Sequence, residues 1–364
     1  MPVQISSYQF MVLITLYVLG SSILVLPSAL VGLAKQDAWL SALMAIGFGL
    51  IFVFIYTMVY RKGNQQSFGL LLESAFGKVI GGFFILVFGL FSLYIASLTL
   101  RDVGDFLKSQ IIPETPIYAI QFLILVPALI AMIYGIEVLA RTAEILFPMV
   151  IIIVFITILL SVKDFNFDFL TPILEEGIPR VFKGSLLMTS IPFLELSLLL
   201  TIYPMVNQSE KAKKAMYVGV IFGGIILVFK VLITILTIGP QLTSIINFPN
   251  FFVVKKIYIG DFLQRIEVFI AIQWIMTSFI KLCLMIYIGL KLLEHLFKLS
   301  SYRMLIFPIV FIIFAIAQAV SPNASSIIYQ VGLPWVSFVF IVGGFVPLLL
   351  VIMIRLKKKT LKSS

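Results

Sequence analysis

The sequence predicts an all-α integral membrane protein that forms a single transmembrane domain over residues 1–364. The 364 residues are 61% apolar and only 12% charged, and their mean hydropathy is +1.16. A soluble domain is usually about half apolar and a quarter charged. The apolar residues also gather in runs of roughly the 20 residues that a helix needs to cross a bilayer. Much of this apolar surface must therefore face lipid, because a water-soluble fold of this size could not bury it.

Ten hydrophobic runs define the predicted transmembrane helices. They cover residues 8–32, 39–60, 79–107, 117–134, 141–162, 185–204, 214–238, 262–296, 302–320 and 334–354. Backbone groups in lipid have to be paired within a segment, and the alternation of barrel strands is absent, so each run is predicted to be helical. Three further segments do not span. Residues 65–77 are predicted to form an amphipathic helix on the cytoplasmic face, and 163–184 and 239–261 are predicted to lie on the external side.

The distribution of Lys and Arg predicts the orientation of the chain. Of the 26 such residues, fifteen fall in loops on the side of the N-terminus and nine fall on the opposite side, mostly among acidic residues. Positive charge concentrates in cytoplasmic loops, so both termini are expected in the cytoplasm. Contact with anionic lipid explains the net charge of +10, and no nucleic-acid partner is expected. The N-terminus lacks the features of a cleaved signal peptide, so the first run is expected to remain as an anchor.

The first predicted helix contains residues that interrupt a helix. Gly20, Ser21 and Ser22 are poor helix formers, and Pro27 lacks the N–H that would bond to the carbonyl four residues earlier. The sixth predicted helix, which is the first of the second half, contains Pro192. Helices 1 and 6 run in opposite directions across the membrane. Paired interruptions in two inverted halves are the best sequence indication of a transporter-type binding site.

An interrupted helix near the membrane midplane offers backbone groups to a ligand. The positive N-terminal end of the outer half-helix can bind a carboxylate, and freed carbonyls can bind an ammonium group or a cation. The alternative is that proline and glycine only kink packed helices, which is common in membranes. Interruptions at corresponding positions of the two halves favour a binding site over a pair of kinks.

Three charged residues lie inside predicted spans, where charge is costly and usually functional or paired. Glu195 follows Pro192 by three residues, Lys230 lies in the middle of helix 7, and Lys281 lies in the middle of helix 8. Glu195 or Lys281 is a candidate ligand-binding group in the cavity. The alternative for Glu195 and for Lys230 is a place in a structural Glu–Lys pair between helices, and the sequence leaves the pairing among the three residues open.

Further polar residues accompany these charges. Thr277 and Ser278 precede Lys281 by about one turn, which predicts one polar face on an otherwise apolar helix 8. Arg101 and Asp102 lie near the outer end of helix 3. This position predicts a place at the membrane interface and a role in an external gate.

A catalytic or metal-dependent function is not expected. The chain has one cysteine, Cys283, and one histidine, His295, which excludes an internal disulfide and argues against a zinc site. The sequence contains no nucleophile–base set, no H-E-x-x-H motif and no phosphate-binding loop. The residues indicate no cofactor, and an enzyme is the least favoured class of function.

Four stretches of the sequence resemble a known family. The opening ISSYQF, the interrupted LGSSILVLPSAL, the following AKQDAWLS and the later RIEVFIAIQW are similar to the B subunit of endospore germination receptors, the GerAB/GerKB type. This family belongs to the amino acid–polyamine–organocation transporter superfamily. The resemblance covers essentially the whole chain, and AKQDAWLS is its most specific part. It implies a LeuT-like five-plus-five inverted repeat in which helices 1 and 6 are interrupted.

The resemblance also implies a ligand site and partners. A nutrient sensor of the spore inner membrane would act with a larger A subunit and a lipoprotein C subunit, and would bind a small nutrient, often an amino acid, between helices 1, 3, 6 and 8. The implied cavity residues are Gly20, Ser21, Ser22, Phe91, Tyr94, Ile95, Phe193, Leu194, Glu195, Thr277, Ser278 and Lys281. Many superfamily members have a second glycine in the helix 1 break, whereas this chain has Ser21 and Ser22. This difference affects how closely a ligand carboxylate can approach the backbone.

Two functions are compatible with this sequence. The first is a ligand-gated receptor subunit, in which a small nutrient shifts a conformational equilibrium that partner subunits detect. The second is a secondary transporter of amino acids or amines. The fold alone does not separate the two functions.

Overall fold

The computed structural model describes residues 4–60, 66–256, 267–320 and 333–363. Within these ranges the chain is helical and contains no strand, which confirms the predicted all-α class. The α-helices are α1 (Ser7–Leu19), α2 (Ser22–Ala34), α3 (Ala38–Val59), α4 (Phe68–Phe76), α5 (Lys78–Phe106), α6 (Ile117–Tyr134), α7 (Ile136–Ser161), α8 (Ile178–Met188), α9 (Ser209–Ile245), α10 (Pro249–Lys256), α11 (Glu267–Leu296), α12 (Ile306–Ala319), α13 (Leu333–Val339) and α14 (Val346–Ser363).

The length and composition of these helices confirm an integral membrane protein. The described residues contain nine helices long and apolar enough to span a bilayer, and the shorter apolar helix α1 precedes them. One of the nine, Ser22–Val59, consists of α2, a short turn and α3. Lys35 in this turn has a φ of 49° and marks the end of α2. The count of ten spans remains a prediction.

Several helix boundaries differ from the sequence prediction because glycine ends or bends a helix. Gly135, with a φ of 85°, ends α6 and lets α7 begin at Ile136 rather than at residue 141. Helix α9 continues to Ile245, well beyond the predicted end at residue 238, and it bends at Gly239, where φ is 76°. The predicted start of the eighth span, residues 262–266, lies outside the described residues.

The predicted amphipathic helix lies where the sequence indicates it, as α4. The hydroxyl of Ser67 accepts a hydrogen bond from the N–H of Leu70 at 3.3 Å and caps the helix start. Phe68 and Leu72 are buried, and the buried face of α4 packs against α5. The first residue of the predicted segment, residue 65, lies outside the described ranges.

The segments of the bundle differ strongly in their burial, and this difference identifies its centre. The most apolar stretches of α6, α7 and α12 are only 28% buried, so these helices present their apolar side chains to lipid. The segment Ile178–Thr201 is 89% buried. Helices α2 and α3 pack against it, and α1, α11 and α13 also contact it. The second interrupted helix is therefore a central element rather than a peripheral one.

Candidate functional site

The first transmembrane helix is broken at Gly20. Helix α1 ends at Leu19, and the N–H of Gly20 donates to the carbonyl of Leu16 at 2.8 Å. Helix α2 begins at Ser22, and the side chain of the preceding Ser21 makes no capping hydrogen bond. The first N–H groups of a helix have no partner within the helix. The break therefore leaves an uncapped, electropositive helix start inside the protein.

Pro27 does not form the break and lies within α2. A proline removes the bond to the carbonyl four residues earlier, which here belongs to Ile23. The side-chain amide of Asn250, on α10, donates to this carbonyl at 2.6 Å. Asn250 is buried, so the freed carbonyl is satisfied from another helix and α2 stays continuous. The interruption predicted over residues 20–27 is thus confined to the residues next to Gly20.

The second interrupted helix changes its helical type instead of breaking. Helix α8 gives way to a π-helical segment, Thr189–Leu194, which contains Pro192. A 3₁₀-helical segment, Glu195–Thr201, follows directly. A π-helical segment is rare and frequently occurs at functional sites. The predicted interruption near Pro192 is therefore present as two consecutive departures from α-helical geometry.

Neighbouring helices support this irregular backbone. The hydroxyl of Tyr56 on α3 lies 3.1 Å from the carbonyl oxygen of Leu194 and 2.6 Å from that of Gly343. The hydroxyl of Tyr60 donates to the carbonyl of Leu200 at 2.8 Å. A Cβ on Gly343 would lie 2.5 Å from the carbonyl oxygen of Leu194. Gly343 belongs to a second π-helical segment, Phe340–Phe345, and only a glycine there allows the two irregular segments to approach so closely.

A buried ion pair joins the two interrupted helices to α11. Lys281 donates to Oε2 of Glu195 at 3.0 Å, and the hydroxyl of Tyr17 on α1 donates to the same oxygen at 2.7 Å. The side chains of Lys281 and Glu195 are each 2% exposed. The Lys281 ammonium also lies 4.9 Å from the centre of the Tyr17 ring. Three helices thus meet at a single carboxylate.

Gly20 provides the space for this ion pair. A Cβ at this position would lie 2.6 Å from Cδ of Lys281 and 2.8 Å from the carbonyl oxygen of Tyr17. The hydroxyl of Thr277, one turn before Lys281, lies 3.4 Å from the carbonyl oxygen of Gly20. The break in helix 1 and the polar face of α11 therefore pack directly against each other.

A cavity opens beside the helix break. Together with its mouth it holds about 670 Å³ of space between atoms. The lining residues come from α2, α5, the α8–π segment, α11 and α13. They are Ser21, Ser22, Val25, Leu26, Ala29, Ile95, Leu98, Thr99, Asp102, Leu187, Ile191, Glu195, Lys281 and Trp335. The wall is mostly apolar with a few polar groups, which is typical of small-molecule sites.

The hydroxyl of Ser22 is the clearest polar feature of the cavity wall. Ser22 is 2% exposed, and its Oγ has no hydrogen-bond partner among the described residues. Buried hydroxyl groups are normally satisfied, and an unsatisfied one calls for an explanation such as a ligand. Together with the uncapped start of α2, this hydroxyl forms a set of donors suited to an anionic or carboxylate group.

Five of the predicted site residues line the cavity, namely Ser21, Ser22, Ile95, Glu195 and Lys281. Gly20 and Thr277 lie immediately behind them and contact Lys281 or each other. These seven residues are the part of the predicted set that the structure brings together.

The other five residues lie away from the cavity. Phe91 packs against Trp335, with ring centres 5.8 Å apart, and Tyr94 is 40% exposed. Phe193 is buried against α3 and α9 at their glycines, and Leu194 faces the glycine of the other π-helical segment. Ser278 lines a separate apolar pocket between α5, α6 and α11.

The structure places the three charged residues of the predicted spans. Glu195 pairs with Lys281, whereas Lys230 donates to the hydroxyl of Thr157 on α7 at 3.0 Å. A Glu–Lys pair between helices is therefore present, its lysine is Lys281, and both of its side chains also line the cavity. The two lysines lie on different helices, and only the one on α11 faces the π-to-3₁₀ transition.

Sequence reasoning missed several residues of this site. Tyr17 carried no signal, because an aromatic residue in an apolar run looks like packing. Asp102 was noted for its charge but was predicted to lie at the outer interface, whereas it lines the cavity. Its spacing from Ile95 and Thr99, seven and three residues, places all three on one face of a helix. This spacing was the available signal.

The AKQDAWLS segment has a structural role at the end of α2. The carboxylate of Asp37 accepts hydrogen bonds from the N–H of Leu174 at 3.0 and 3.1 Å. Gln36 donates to the carbonyl of Pro172 at 2.8 Å, and Lys35 pairs with Glu176. The turn after α2 is thus attached to the segment between α7 and α8.

The fold and the interrupted first helix define the class of this protein as a membrane protein with a transporter fold. The structure is similar to that of Mhp1, a nucleobase-cation-symport-1 family transporter in a closed conformation with bromovinylhydantoin bound. The TM-score is 0.66 at 9% identity, over 90% of this chain and 76% of that chain. This similarity confirms the predicted LeuT-like fold.

Sequence comparison identifies the family. The family model described as spore germination protein matches residues 4–326. The chain is 30% identical over 325 residues to spore germination protein KB of Bacillus subtilis (strain 168), which covers 88% of this chain and 86% of that protein. It is 25% identical to spore germination protein A2 of the same organism, over 82% of each chain. The chain therefore belongs to the spore germination protein family, as the resemblance indicated.

Proposed function

We propose that this chain is the nutrient-sensing subunit of a spore germination receptor and that it binds a small nutrient, an amino acid, in the cavity beside Gly20. Membership of the spore germination protein family supports the biological role. The observation that carries the ligand site is the unpartnered hydroxyl of Ser22 at the uncapped start of α2, beside a buried ion pair.

The cavity chemistry supports a ligand with both polar and apolar parts. The N–H groups at the start of α2 and the Ser22 hydroxyl are donors for a carboxylate. The apolar residues of α2, α5 and the π-helical segment suit an aliphatic side chain. A ligand that contacts several helices at their irregular points favours one arrangement of these helices over another. The preferred arrangement is the signal that the receptor transmits.

The wider assembly follows from the family resemblance. We propose a larger A subunit and a lipoprotein C subunit as partners in the spore inner membrane. Both termini of the chain lie in the cytoplasm in this proposal, because the loops on their side carry the excess of Lys and Arg.

A secondary transporter is the second candidate function, and the similarity to Mhp1 favours it. The structure of that transporter contains bromovinylhydantoin. Uptake of labelled amino acids into proteoliposomes that contain only this chain separates the two functions. A receptor subunit gives binding without net uptake under a proton or sodium gradient. Robust uptake coupled to either gradient would argue for the transporter.

Germination of spores that lack all other nutrient receptors tests the sensing function. In these spores, a panel of amino acids is applied to the wild-type chain and to Ala29→Phe, which places a ring on the cavity wall. Ala315→Phe is the matched control, because Ala315 is exposed on α12. If the chain is the sensing subunit, Ala29→Phe is expected to abolish germination by amino acids at normal protein abundance. The control variant is expected to germinate like the wild type.

Germination by agents that bypass nutrient receptors has to remain intact in both variants. A full nutrient response of Ala29→Phe would show that the ligand binds elsewhere. The absence of any nutrient response in the wild type, at normal abundance and with its partners present, would contradict the sensing function itself.

A further inference from the structure

Asp102 is a charged residue of the cavity wall that takes no part in the Glu195–Lys281 ion pair. It lies on α5, lines the cavity beside Thr99 and is partly exposed there. Among the described residues it makes no hydrogen bond and no ion pair within 4 Å. A carboxylate on a mostly apolar wall is costly unless a cation or donors satisfy it.

The charges around Asp102 do not balance. The other charged residues nearby are Arg101 and Asp105 on the same helix, and Glu195 and Lys281, which line the same cavity. Three carboxylates, including Asp102, thus face two cations, which leaves one negative charge uncompensated.

Neither cation is free to neutralise Asp102. Arg101 donates to Asp105 at 2.9 Å and to the carbonyl of Ala317 at 3.2 Å, so its guanidinium is held towards α12. The Lys281 ammonium is held by Glu195 at 3.0 Å. Moving either cation to Asp102 would leave another buried carboxylate without its partner.

We propose that Asp102 is the subsite for the ammonium group of an amine-bearing ligand. This assignment deepens the proposed function and rests on it, because it requires that the cavity binds a small molecule. The ligand supplies the missing positive charge, and its aliphatic part packs on the apolar residues of the same wall.

The surroundings of Asp102 suit an ammonium group better than a metal ion. The hydroxyl of Thr99 donates to the carbonyl of Ile95 at 2.8 Å, so its oxygen is left to accept a hydrogen bond from a ligand. An ammonium group needs only a few acceptors, whereas hard metal ions require about six oxygen ligands. The remaining neighbours on the wall, Leu98 and Ile95, are aliphatic and supply none.

The test uses the full-length chain, purified and reconstituted in lipid nanodiscs. The twenty L-amino acids are screened for binding, and the tightest binder is compared with two analogues of the same carbon skeleton. The first analogue is the 2-hydroxy acid, in which a hydroxyl replaces the ammonium group. The second is the decarboxylated amine, which keeps the ammonium group and lacks the carboxylate.

These probes are measured on the wild type, on Asp102→Asn and on Glu114→Gln. Glu114 is exposed and does not line the cavity, so the control removes one negative charge without changing the wall. Loss of one partner of a desolvated charge pair costs about 2–5 kcal/mol, or at least about 30-fold in Kd. Asp102→Asn is expected to weaken the amino acid and the amine by at least about 30-fold and to leave the hydroxy acid within about twofold. Glu114→Gln is expected to bind all three like the wild type.

Each alternative outcome overturns a defined part of the reasoning. Equal binding of an amino acid and its hydroxy acid by the wild type, or wild-type affinity of Asp102→Asn for the amine, would overturn the ammonium subsite while leaving a small-molecule site in place. Binding of sodium or calcium chloride alone that depends on Asp102 would replace the amine by a metal ion. No binding of any probe to a folded wild-type chain would contradict the proposed function and with it this inference. The thermal unfolding midpoint of Asp102→Asn, which keeps the shape of the side chain, confirms that a loss of binding is not a loss of folding.

Discussion

Removal of one partner of the Glu195–Lys281 ion pair is expected to destabilise the protein strongly, and removal of both partners much less. Each side chain is only 2% exposed, so a remaining partner cannot recover its hydration. Breaking a buried ion pair by removing one partner costs about 3–5 kcal/mol. Replacing both partners by uncharged residues of similar volume is often neutral. Glu195→Gln and Lys281→Met suit this experiment, because glutamine keeps an acceptor for Tyr17 and methionine keeps an unbranched chain beside Gly20.

The charge itself accounts for most of this effect. The hydrogen bond from Tyr17 to the same carboxylate is a single interhelical bond of 2.7 Å. Such bonds within membranes contribute about 0.6 kcal/mol on average and at most about 1.7 kcal/mol. Tyr17→Phe is therefore expected to destabilise the protein clearly less than Glu195→Gln. The order of the three single variants distinguishes a buried charge from a lost hydrogen bond.

The assay is reversible unfolding in mixed micelles. The free energy of unfolding is determined for the wild type, for the three single variants and for the double variant of Glu195→Gln with Lys281→Met. Lys291→Met is the matched control on the same helix. Lys291 pairs with Glu294, but the side chains of that pair are 28% and 18% exposed. A pair that keeps part of its contact with solvent is expected to contribute less than a fully buried one, because exposed pairs contribute about 0–1 kcal/mol. Additive single effects in the double variant, or a loss at Lys281 no larger than the loss at Lys291, would refute the buried-pair reasoning.

Three further predictions concern Gly20, the carbonyl that Pro27 leaves free, and the loop between α7 and α8. Gly20→Ala is expected to lower the free energy of unfolding by about 1–3 kcal/mol, because its Cβ overlaps backbone and the lysine stem, whereas Gly32→Ala, which meets nothing within 4 Å, is not expected to lower it. Equal effects of the two alanines would contradict this packing. Asn250→Leu leaves a buried carbonyl without a donor and is expected to cost about 1–3 kcal/mol, and adding Pro27→Ala, which restores the helical N–H, should recover most of it in the same unfolding measurement. Failure of this rescue would show that Asn250 acts through other contacts. The hydrogen bond from Lys35 and the charge of Arg180 hold the pKa of Glu176 below its ordinary value of 4.5, so its ion pairs are present above pH 4.5 and are lost as the pH falls through the lowered value. The protection of residues 171–177 against hydrogen exchange, measured relative to the intrinsic rate at each pH, is expected to fall only below pH 4.5. Glu176→Gln is expected to lower this protection at neutral pH. Protection that is unchanged by both would show that the ion pairs do not hold this loop.

The membrane fold and the helix break could be predicted because each depends on local chemistry. Apolar runs of membrane length have few alternatives to a spanning helix. Gly20 interrupts a helix through its own backbone freedom, and a charged residue inside a span has to be paired or functional. The sequence alone therefore predicts that Glu195 and Lys281 are functional or paired. Their mutual pairing required the fold, because it depends on which faces of two distant helices meet.

The errors in the predicted cavity wall follow from helical phase. On α5, Tyr94 directly precedes Ile95, so the two side chains point about 100° apart, and Tyr94 is turned out of the cavity. On α11, Thr277 and Lys281 share a face, whereas Ser278 is rotated towards α6. The cavity-lining positions of a helix follow its helical face, so a predicted set of neighbouring residues includes some that point elsewhere.

The irregular segment after α8 was harder to predict for the same reason. The cavity-lining residues Leu187 on α8 and Ile191 and Glu195 after it are spaced by four. Phe193 and Leu194 project elsewhere. The phase of a π-helical turn followed by a 3₁₀-helix cannot be derived from an α-helical period. Proline marked the place of the irregularity, and the contacts with neighbouring helices determine its form.

Helix α2 connects the cavity with the AKQDAWLS turn, which binds the segment between α7 and α8. Its 13 residues span roughly 20 Å at about 1.5 Å per residue. Ser22 faces the cavity at one end, and at the other end Lys35 begins the turn that binds the segment between α7 and α8. Asn250 satisfies the carbonyl that Pro27 leaves free, so the helix does not gain a flexible point halfway along its length. Because α2 is continuous between these ends and separated from α1 by the break at Gly20, we predict that a ligand that tilts its Ser22 end also displaces the turn that holds the segment between α7 and α8.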